Sequence, residues 1–234
     1  MITHNLNYYS KICSKITIYD NESTDDSREI IKRYNDSNDD TNIVIKNFDT
    51  HGEHREDMMV NVRNNCWKGS TADYVIVCDM DEFLFHESLI EKLIEAKNKE
   101  IAIPVIIGYN MMASVFPSNY KELITSQIQY GFRDRMFDKN IIFDPKKVKN
   151  INYGPGSHSC SPEFYTEEYK QGLLELKLLH YKYIDKDYLY KRHETYANRM
   201  SDVNNENRWG YEYNLGDDHI DQIYKLKYYL IKIV

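Results

Sequence analysis

An apolar run, Tyr74-Val75-Ile76-Val77-Cys78, stops abruptly at Asp79-Met80-Asp81-Glu82 before Phe83-Leu84-Phe85. A short apolar run of this kind reads as a buried β-strand, so three carboxylates are delivered to one strand tip. Like charges that close raise each other's proton affinity, and such a tip is tolerable chiefly where a cation or water neutralises it. A hard divalent cation is the natural partner. Mg²⁺ and Mn²⁺ take oxygen ligands and share their shell between one or two protein carboxylates and the phosphates of a substrate, which points to a nucleotide site.

A second acidic tip lies upstream. Lys15-Ile16-Thr17-Ile18-Tyr19 reads as a strand, and Asp20-Asn21-Glu22-Ser23-Thr24-Asp25-Asp26-Ser27 follows it before a helical pattern that opens with Arg28, Ile30 and Ile31. In open α/β sheets ligands bind in the crevice outside the carboxyl ends of the strands, so both tips are expected to face one pocket.

The rest of the chain alternates. Strand-like runs at 15–19, 42–46, 74–78, 101–107, 139–143 and 173–180 are separated by helical patterns near 26–35, 53–66, 87–97, 119–130 and 185–200. That order predicts an α/β fold with a mostly parallel central sheet flanked by helices. In the helix at 87–97, Leu89, Ile90, Leu93 and Ile94 mark the inner face and Glu87, Glu91 and Lys92 the wet one. The Asn-, Asp- and Ser-rich interval 35–41 suits a surface loop. Residues 145–165, with three of the five prolines, suit a structured loop crossing the pocket, and polar 201–218 suits a mobile segment.

At 234 residues one domain is the default: a nucleotide-binding half over 1–100, an acceptor-side half over 101–200 and a tail over 201–234. The formal charge of −7 and the absence of a dominant Lys/Arg cluster exclude a phosphate-tracking nucleic-acid protein. The basic stretches 146–149 and 182–192 read as solvated faces first. Four cysteines, at 13, 66, 78 and 160, lack the density of a disulfide scaffold, so a reduced, cytoplasmic protein is expected. No apolar run approaches the roughly 18 residues of a membrane span, and the apolar end, 228–234, is expected to dock on the core. Among 21 tyrosines, some are expected to line a sugar pocket.

The residues also resemble a known family. TIYDNESTDDS is similar to the nucleotide-proximal segment of family-two glycosyltransferases, and VIVCDMDEFLF resembles the D-x-D segment of the same GT-A-type fold in its D-x-D-E-F variant. Asn42–Ile45, the segment from Gly52 to Tyr74 with its Arg63–Trp67 turn, Lys139–Pro145, Gly154–His158 and Leu178–Tyr181 resemble later parts of that pattern. The first strand of such a fold is minimal or missing here, which leaves open whether Thr3 and His4 supply base and ribose contacts.

The resemblance implies a GT-A-like, Rossmann-like fold and transfer of a sugar from a nucleoside diphosphate sugar, with UDP favoured, to a glycan, lipid-linked or protein acceptor. It implies Mn²⁺ or Mg²⁺ as cofactor. Asp81 becomes the direct metal ligand, Asp79 a ligand of ribose and metal-bound water, His180 a third metal ligand, and Asp20 the acceptor of a base N–H. Glu82 either touches the metal or braces backbone. For inverting chemistry the base is sought at Asp134 or Asp138, with Arg133 and Arg135 pairing with those acids or gripping phosphate, the salt bridges being the plainer reading, and His158 is an acceptor-side contact, ligand or base. His51 and His54 read as surface residues. Plainer readings stand beside these: Asp79 and Asp81 as helix caps or solvated acids, Ser23 and Asp25 as turn formers, His180 as a structural histidine. Two other functions compete, a haloacid-dehalogenase-like phosphatase, against which Phe83 argues, and a nucleotide-sugar-binding protein without turnover.

Overall fold

The computed structural model describes residues 1–38, 41–167 and 170–234, so Asp39 and Asp40 of the expected 35–41 loop lie outside the described residues. The chain runs through α1 (Ile2–Tyr9), β1 (Lys15–Asp20), α2 (Ser27–Asp36), β2 (Asn42–Asn47) and α3 (Glu56–Asn65), then β3 (Val75–Ile76), β4 (Glu82–Phe85), α4 (Leu89–Asn98) and the long β5 (Ile101–Met112). After the single turn α5 (Ile124–Gln127) come β6 (Tyr130–Arg133), β7 (Ile142–Phe143), β8 (Val148–Asn150), β9 (Glu163–Phe164) and β10 (Lys170–Tyr183). The helices α6 (Lys186–Asn198), α7 (Asp202–Asn207) and α8 (Asp217–Tyr224) and the strand β11 (Ile231–Lys232) follow.

Five strands form the largest sheet, in the order β11-β6-β5-β10-β4. Only β5 and β10 pair in parallel; the other three neighbours are antiparallel. The α/β class holds, but this sheet is mixed where a mostly parallel one was expected. The helix expected at 119–130 shrinks to α5, so no crossover helix carries the chain across the sheet after β5, and β6 returns beside it antiparallel. β1 and β2 form a separate parallel pair with α2 as their crossover.

The acidic segment is a turn between two strands rather than the end of one. Glu82 N–H donates to Asp79 O at 3.1 Å, closing a four-residue turn, and the chain re-enters the sheet as β4. The short β3 pairs with β7.

A helix, α1, occupies the segment where the first strand was read as minimal or missing, and it docks through two tyrosines. The Tyr8 hydroxyl donates to Leu84 O at 2.6 Å; that of Tyr9 donates to Glu82 O at 2.9 Å and accepts from Leu84 N–H at 3.1 Å. Because β4 is the outermost strand of its sheet, these hydroxyls occupy backbone groups that an open edge would offer to another chain. The same rings pack on Phe83, which meets Tyr181 edge-on at 5.2 Å, so each tyrosine buries apolar area and satisfies backbone at once. His4 is buried and bonds Pro117 O.

Two further expectations change. On α4, Leu89 and Ala96 are buried with Leu93 packed beside them, while Ile90 and Ile94 stay 45% and 55% exposed; the inward stripe follows i, i+4, i+7 and is narrower than the apolar spacing implied. Residues 201–218 hold a packed helix: Ser201 Oγ accepts from Asn204 N–H, Asn204 Oδ1 accepts from Glu56 N–H, and Ser201 and Asn204 are buried. Their polarity serves a helix cap and an inter-helix bond. At the chain's end Ile233 docks while Tyr228, Tyr229 and Ile231 remain exposed. Among the described residues no helix is long and apolar enough to cross a membrane.

Candidate active site

Cross-strand register sets Glu82 of β4, His180 of β10 and Asn110 of β5 in one row, so their side chains leave the sheet on the same face. Glu82 and His180 border a cleft of about 2470 Å³ that is also lined by Asp20, Asp79, Asp81, Asp134 and His158. Both acidic tips therefore share one opening with Asp134, His158 and His180, whereas Asp138 does not border it.

The charge balance differs from the expectation. The turn at 79–82 splays its carboxylates toward different cations of the protein itself. Asp79 Oδ1 lies 2.9 Å from Arg63 Nη2, whose Nη1 reaches Glu56 Oε1 at 2.7 Å. Asp81 Oδ2 lies 2.6 Å from Arg192 Nη1 and 3.3 Å from His180 Nε2. Glu82 Oε1 meets Lys139 Nζ at 2.6 Å, with both side chains at most 3% exposed, and its Oε2 accepts from Asp79 N–H. Glu82 thus braces backbone. Burial would raise the Asp79 and Asp81 carboxyls; Arg63 and Lys139 hold the first below the usual carboxylate range, and Arg192 holds the second well below it. Lys139 is likewise kept protonated, Glu82 and Asp79 outweighing its burial. The acidic turn is therefore stable without a metal.

Does the site still suit one? Asn110 decides the orientation of His180. Its amide Nδ2 donates to Asp134 Oδ2 at 2.7 Å, so its Oδ1 faces His180 Nδ1 at 2.6 Å. That oxygen only accepts, so Nδ1 carries a hydrogen and Nε2 is turned toward Asp81. Metal-binding histidines commonly donate their outer ring N–H to an oxygen in this manner. Two donors bound side by side to Mg²⁺ or Mn²⁺ at about 2.1 Å stand about 3 Å apart, close to the observed 3.3 Å. The pair fits an ion. Among the described residues no three His, Cys, Asp or Glu side chains gather to hold one alone, so substrate oxygens would have to complete the shell.

Phe137 completes the setting of His180, stacking on the imidazole with centroids 4.0 Å apart. It reaches that position because Gly108, two residues before Asn110 on the same face, lets the 135–137 turn lie on β5: a Cβ there would stand 2.2 Å from the Phe137 carbonyl carbon. Asp134 caps that turn through Met136 N–H. Arg133 pairs with Asp138, as expected, and His158 is exposed, with Nδ1 2.8 Å from Met136 O.

At the other tip, buried Asp20 is paired with Arg28 at 3.0 Å, and Asp25 accepts from Ser27 N–H, a turn-forming role. Thr3 and His4 do not border the cleft. His54, expected at the surface, is buried edge-on against Tyr196. The 182–192 stretch is no solvated face: Lys182 and Arg192 are 12% and 19% exposed and border the cleft with Tyr183, Tyr188, Tyr196 and Tyr213. Sequence reasoning assigned no site role to Arg63, Asn110 or Lys139. Arg192 sits 111 residues from Asp81, and no spacing rule connects such positions.

His193, beside Arg192, is buried, and among the described residues nothing pairs with its Nε2. Burial, with Lys182 nearby, pushes its pKa down to about 4. A folded-state value below the unfolded one means that its contribution is complete above about pH 6.5 and is lost as pH falls toward 4. Urea midpoints compared near neutrality and near pH 4 should show His193→Phe losing less stability than the parent, by up to about 3 kcal/mol. His4 and His54 are depressed in the same sense by burial, so the variant flattens only part of the slope. An unchanged slope would rule His193 out as a source.

No curated protein and no solved structure matches the chain. The family model described as Glycosyl transferase family 2 does, over residues 10–153. That span covers more than half the chain and holds both acidic tips, Arg63, Asn110, Asp134 and Lys139. The protein belongs to glycosyl transferase family 2 and is a glycosyltransferase of the GT-A-like fold.

Proposed function

We propose that the protein moves a sugar from a metal-bound nucleoside diphosphate sugar, with UDP as the favoured nucleotide, to an acceptor hydroxyl with inversion at the anomeric carbon. The observation that carries the reading is the convergence of Asp81 Oδ2 and His180 Nε2, with the outer imidazole nitrogen held by Asn110. These two residues would hold Mn²⁺ or Mg²⁺, with Asp79 beside them on ribose and ion-bound water. When bound, the ion neutralises charge that builds on the departing diphosphate.

The chain's own residues do the remainder. Asp20 accepts from the nucleobase at the far tip, and Arg192 and Lys182 border the cleft as cations for phosphate oxygens. Asp134 takes the proton of the acceptor hydroxyl, which an inverting transfer needs at the face opposite the leaving group. Its hydrogen bonds to Asn110 Nδ2 and Met136 N–H orient it. His158, exposed on the neighbouring loop, contacts the acceptor, a glycan, lipid-linked or protein hydroxyl. Residues 1–100 then serve chiefly the nucleotide and 101–200 chiefly the acceptor, with His180, Lys182 and Arg192 turned to the donor side. The four cysteines are free, in keeping with a reducing compartment, and we assign the enzyme to the cytoplasm.

The test is a screen of UDP, GDP, CMP and dTDP sugars with and without Mn²⁺, read by thermal shift and by nucleotide release. A Mn²⁺-dependent shift with a UDP-sugar, followed by UDP release on adding acceptor, is the expected result. Release of inorganic phosphate from a generic phosphomonoester, with no response to any nucleotide sugar, would favour a phosphatase instead. Nucleotide binding without sugar loss to any acceptor would leave a binding protein.

A further inference from the structure

Asn110 joins Asp134 to His180 in a chain of polar side chains that runs on through Asp81 to Arg192 at the cleft. It is 1% exposed near the C-terminal end of β5, between β10 and β6, opposite His180 on one side and Phe132 on the other. Nδ2 donates to Asp134 and Oδ1 faces His180 Nδ1; His180 Nε2 faces Asp81, which Arg192 holds from the far side. Each link dictates the next. A carboxylate only accepts, so the amide cannot turn over without setting its oxygen against Asp134 and its NH₂ against a ring nitrogen that would then have to accept.

We propose that Asn110 is a positioning residue that keeps the proton of His180 on Nδ1 and so reserves Nε2 as the nitrogen facing Asp81, where an ion would bind. The inference rests on the metal-dependent reading above only for the ion; the placement of the proton stands on the hydrogen bonds alone. Without Asn110 the more favourable arrangement is the opposite one. Nε2–H would donate to Asp81, a charge-assisted hydrogen bond about twice as strong as a neutral one, and the lone pair would turn to Nδ1, away from the ion. Asn110 therefore opposes the local preference of an imidazole beside a carboxylate. The same amide holds Asp134, so one buried side chain sets the orientation of groups on both the donor and the acceptor side.

The experiment is ¹⁵N-histidine NMR of the full chain, which distinguishes protonated from bare ring nitrogens, without metal and with Mg²⁺ and UDP. The parent protein should show His180 protonated at Nδ1 in both states. A His180 bare at Nδ1 and protonated only at Nε2 overturns the proposal with no variant needed. In Asn110→Leu the proton should move to Nε2 and Mg²⁺ affinity, measured by calorimetry in the presence of UDP, should fall roughly 10- to 100-fold, the usual cost of losing such an outer partner. The paired exchange Asn110→Asp with Asp134→Asn returns an acceptor to Nδ1–H at unchanged total charge. It should restore the Nδ1 proton and bring Mg²⁺ affinity back to within a few-fold of the parent, whatever it does to turnover. Failure of that exchange to restore the proton would show that Asn110 acts only as packing. A parent chain with Nδ1 protonated but no response to Mg²⁺ would sink the metal-dependent reading while upholding the role of Asn110 in placing the proton.

Discussion

Asp81→Asn is expected to lower kcat/KM roughly a thousandfold, the loss of several kcal/mol of charge stabilisation at the departing diphosphate. Asp81 is 1% exposed and meets Arg192 and His180 through one oxygen, so the change removes the charge that gathers both partners. Part of the effect could come from leaving Arg192 buried without a counter-charge, and a second readout separates the two. Thermal shifts with Mn²⁺ and UDP should be present in the parent and absent in the variant, even at temperatures where the variant remains folded. A variant that keeps its metal-dependent shift and loses only turnover would remove Asp81 from the metal site and leave it a structural partner of Arg192.

The largest stability effect is expected at a residue that touches no substrate. Lys139→Ala leaves the Glu82 carboxylate buried without its partner at 2.6 Å, and breaking a buried pair from one side costs about 3–5 kcal/mol. For a chain of this size that is a fall of roughly 10 °C in the melting midpoint. The physical reason is the desolvated charge left behind, not the pair's own strength. Joining Lys139→Met to Glu82→Gln should therefore recover most of the loss, because the amide oxygen still accepts from Asp79 N–H and no lone charge stays inside. Should the double variant be as unstable as Lys139→Ala, packing of the lysine stem and its ammonium over Phe137, 4.8 Å from the ring centroid, would be the dominant contribution.

These two positions also mark how far the sequence could be read. The acidic cluster that contains Asp81 and borders the cleft was legible because its surroundings are contiguous: an apolar run followed by clustered acids is a local pattern, and a local pattern survives into the fold. The same holds for Asp20, for β1 and β2 with α2 between them, and for α4, whose existence followed from apolar spacing even though Ile90 and Ile94 turned out exposed. Lys139 was invisible as a site residue. A lone lysine ahead of an apolar run reads as a strand boundary, and only the approach of residues 57 positions apart makes it the partner of Glu82.

The direction of strand pairing was likewise out of reach. Alternating strands and helices imply parallel crossovers, but which neighbour a strand takes depends on how the chain returns, and here the returns after β5 and before β4 produce antiparallel neighbours. Polar segments were misread for a related reason. Ser201 and Asn204 look like solvated loop residues one at a time; buried, they are a helix cap and an inter-helix bond, because hydrogen-bonding capacity serves water and protein equally well until packing excludes the water.

By itself, then, the order of residues determined the α/β class and the two clusters of acids, since period and clustered charge act within a few residues of chain. Tertiary structure alone decided which cations neutralise those acids, which nitrogen of His180 faces Asp81, and that Asn110 stands between His180 and Asp134. Those outcomes depend on side chains brought together from distant positions in the low-dielectric interior, where a partner's distance and orientation, rather than its place in the chain, set its effect.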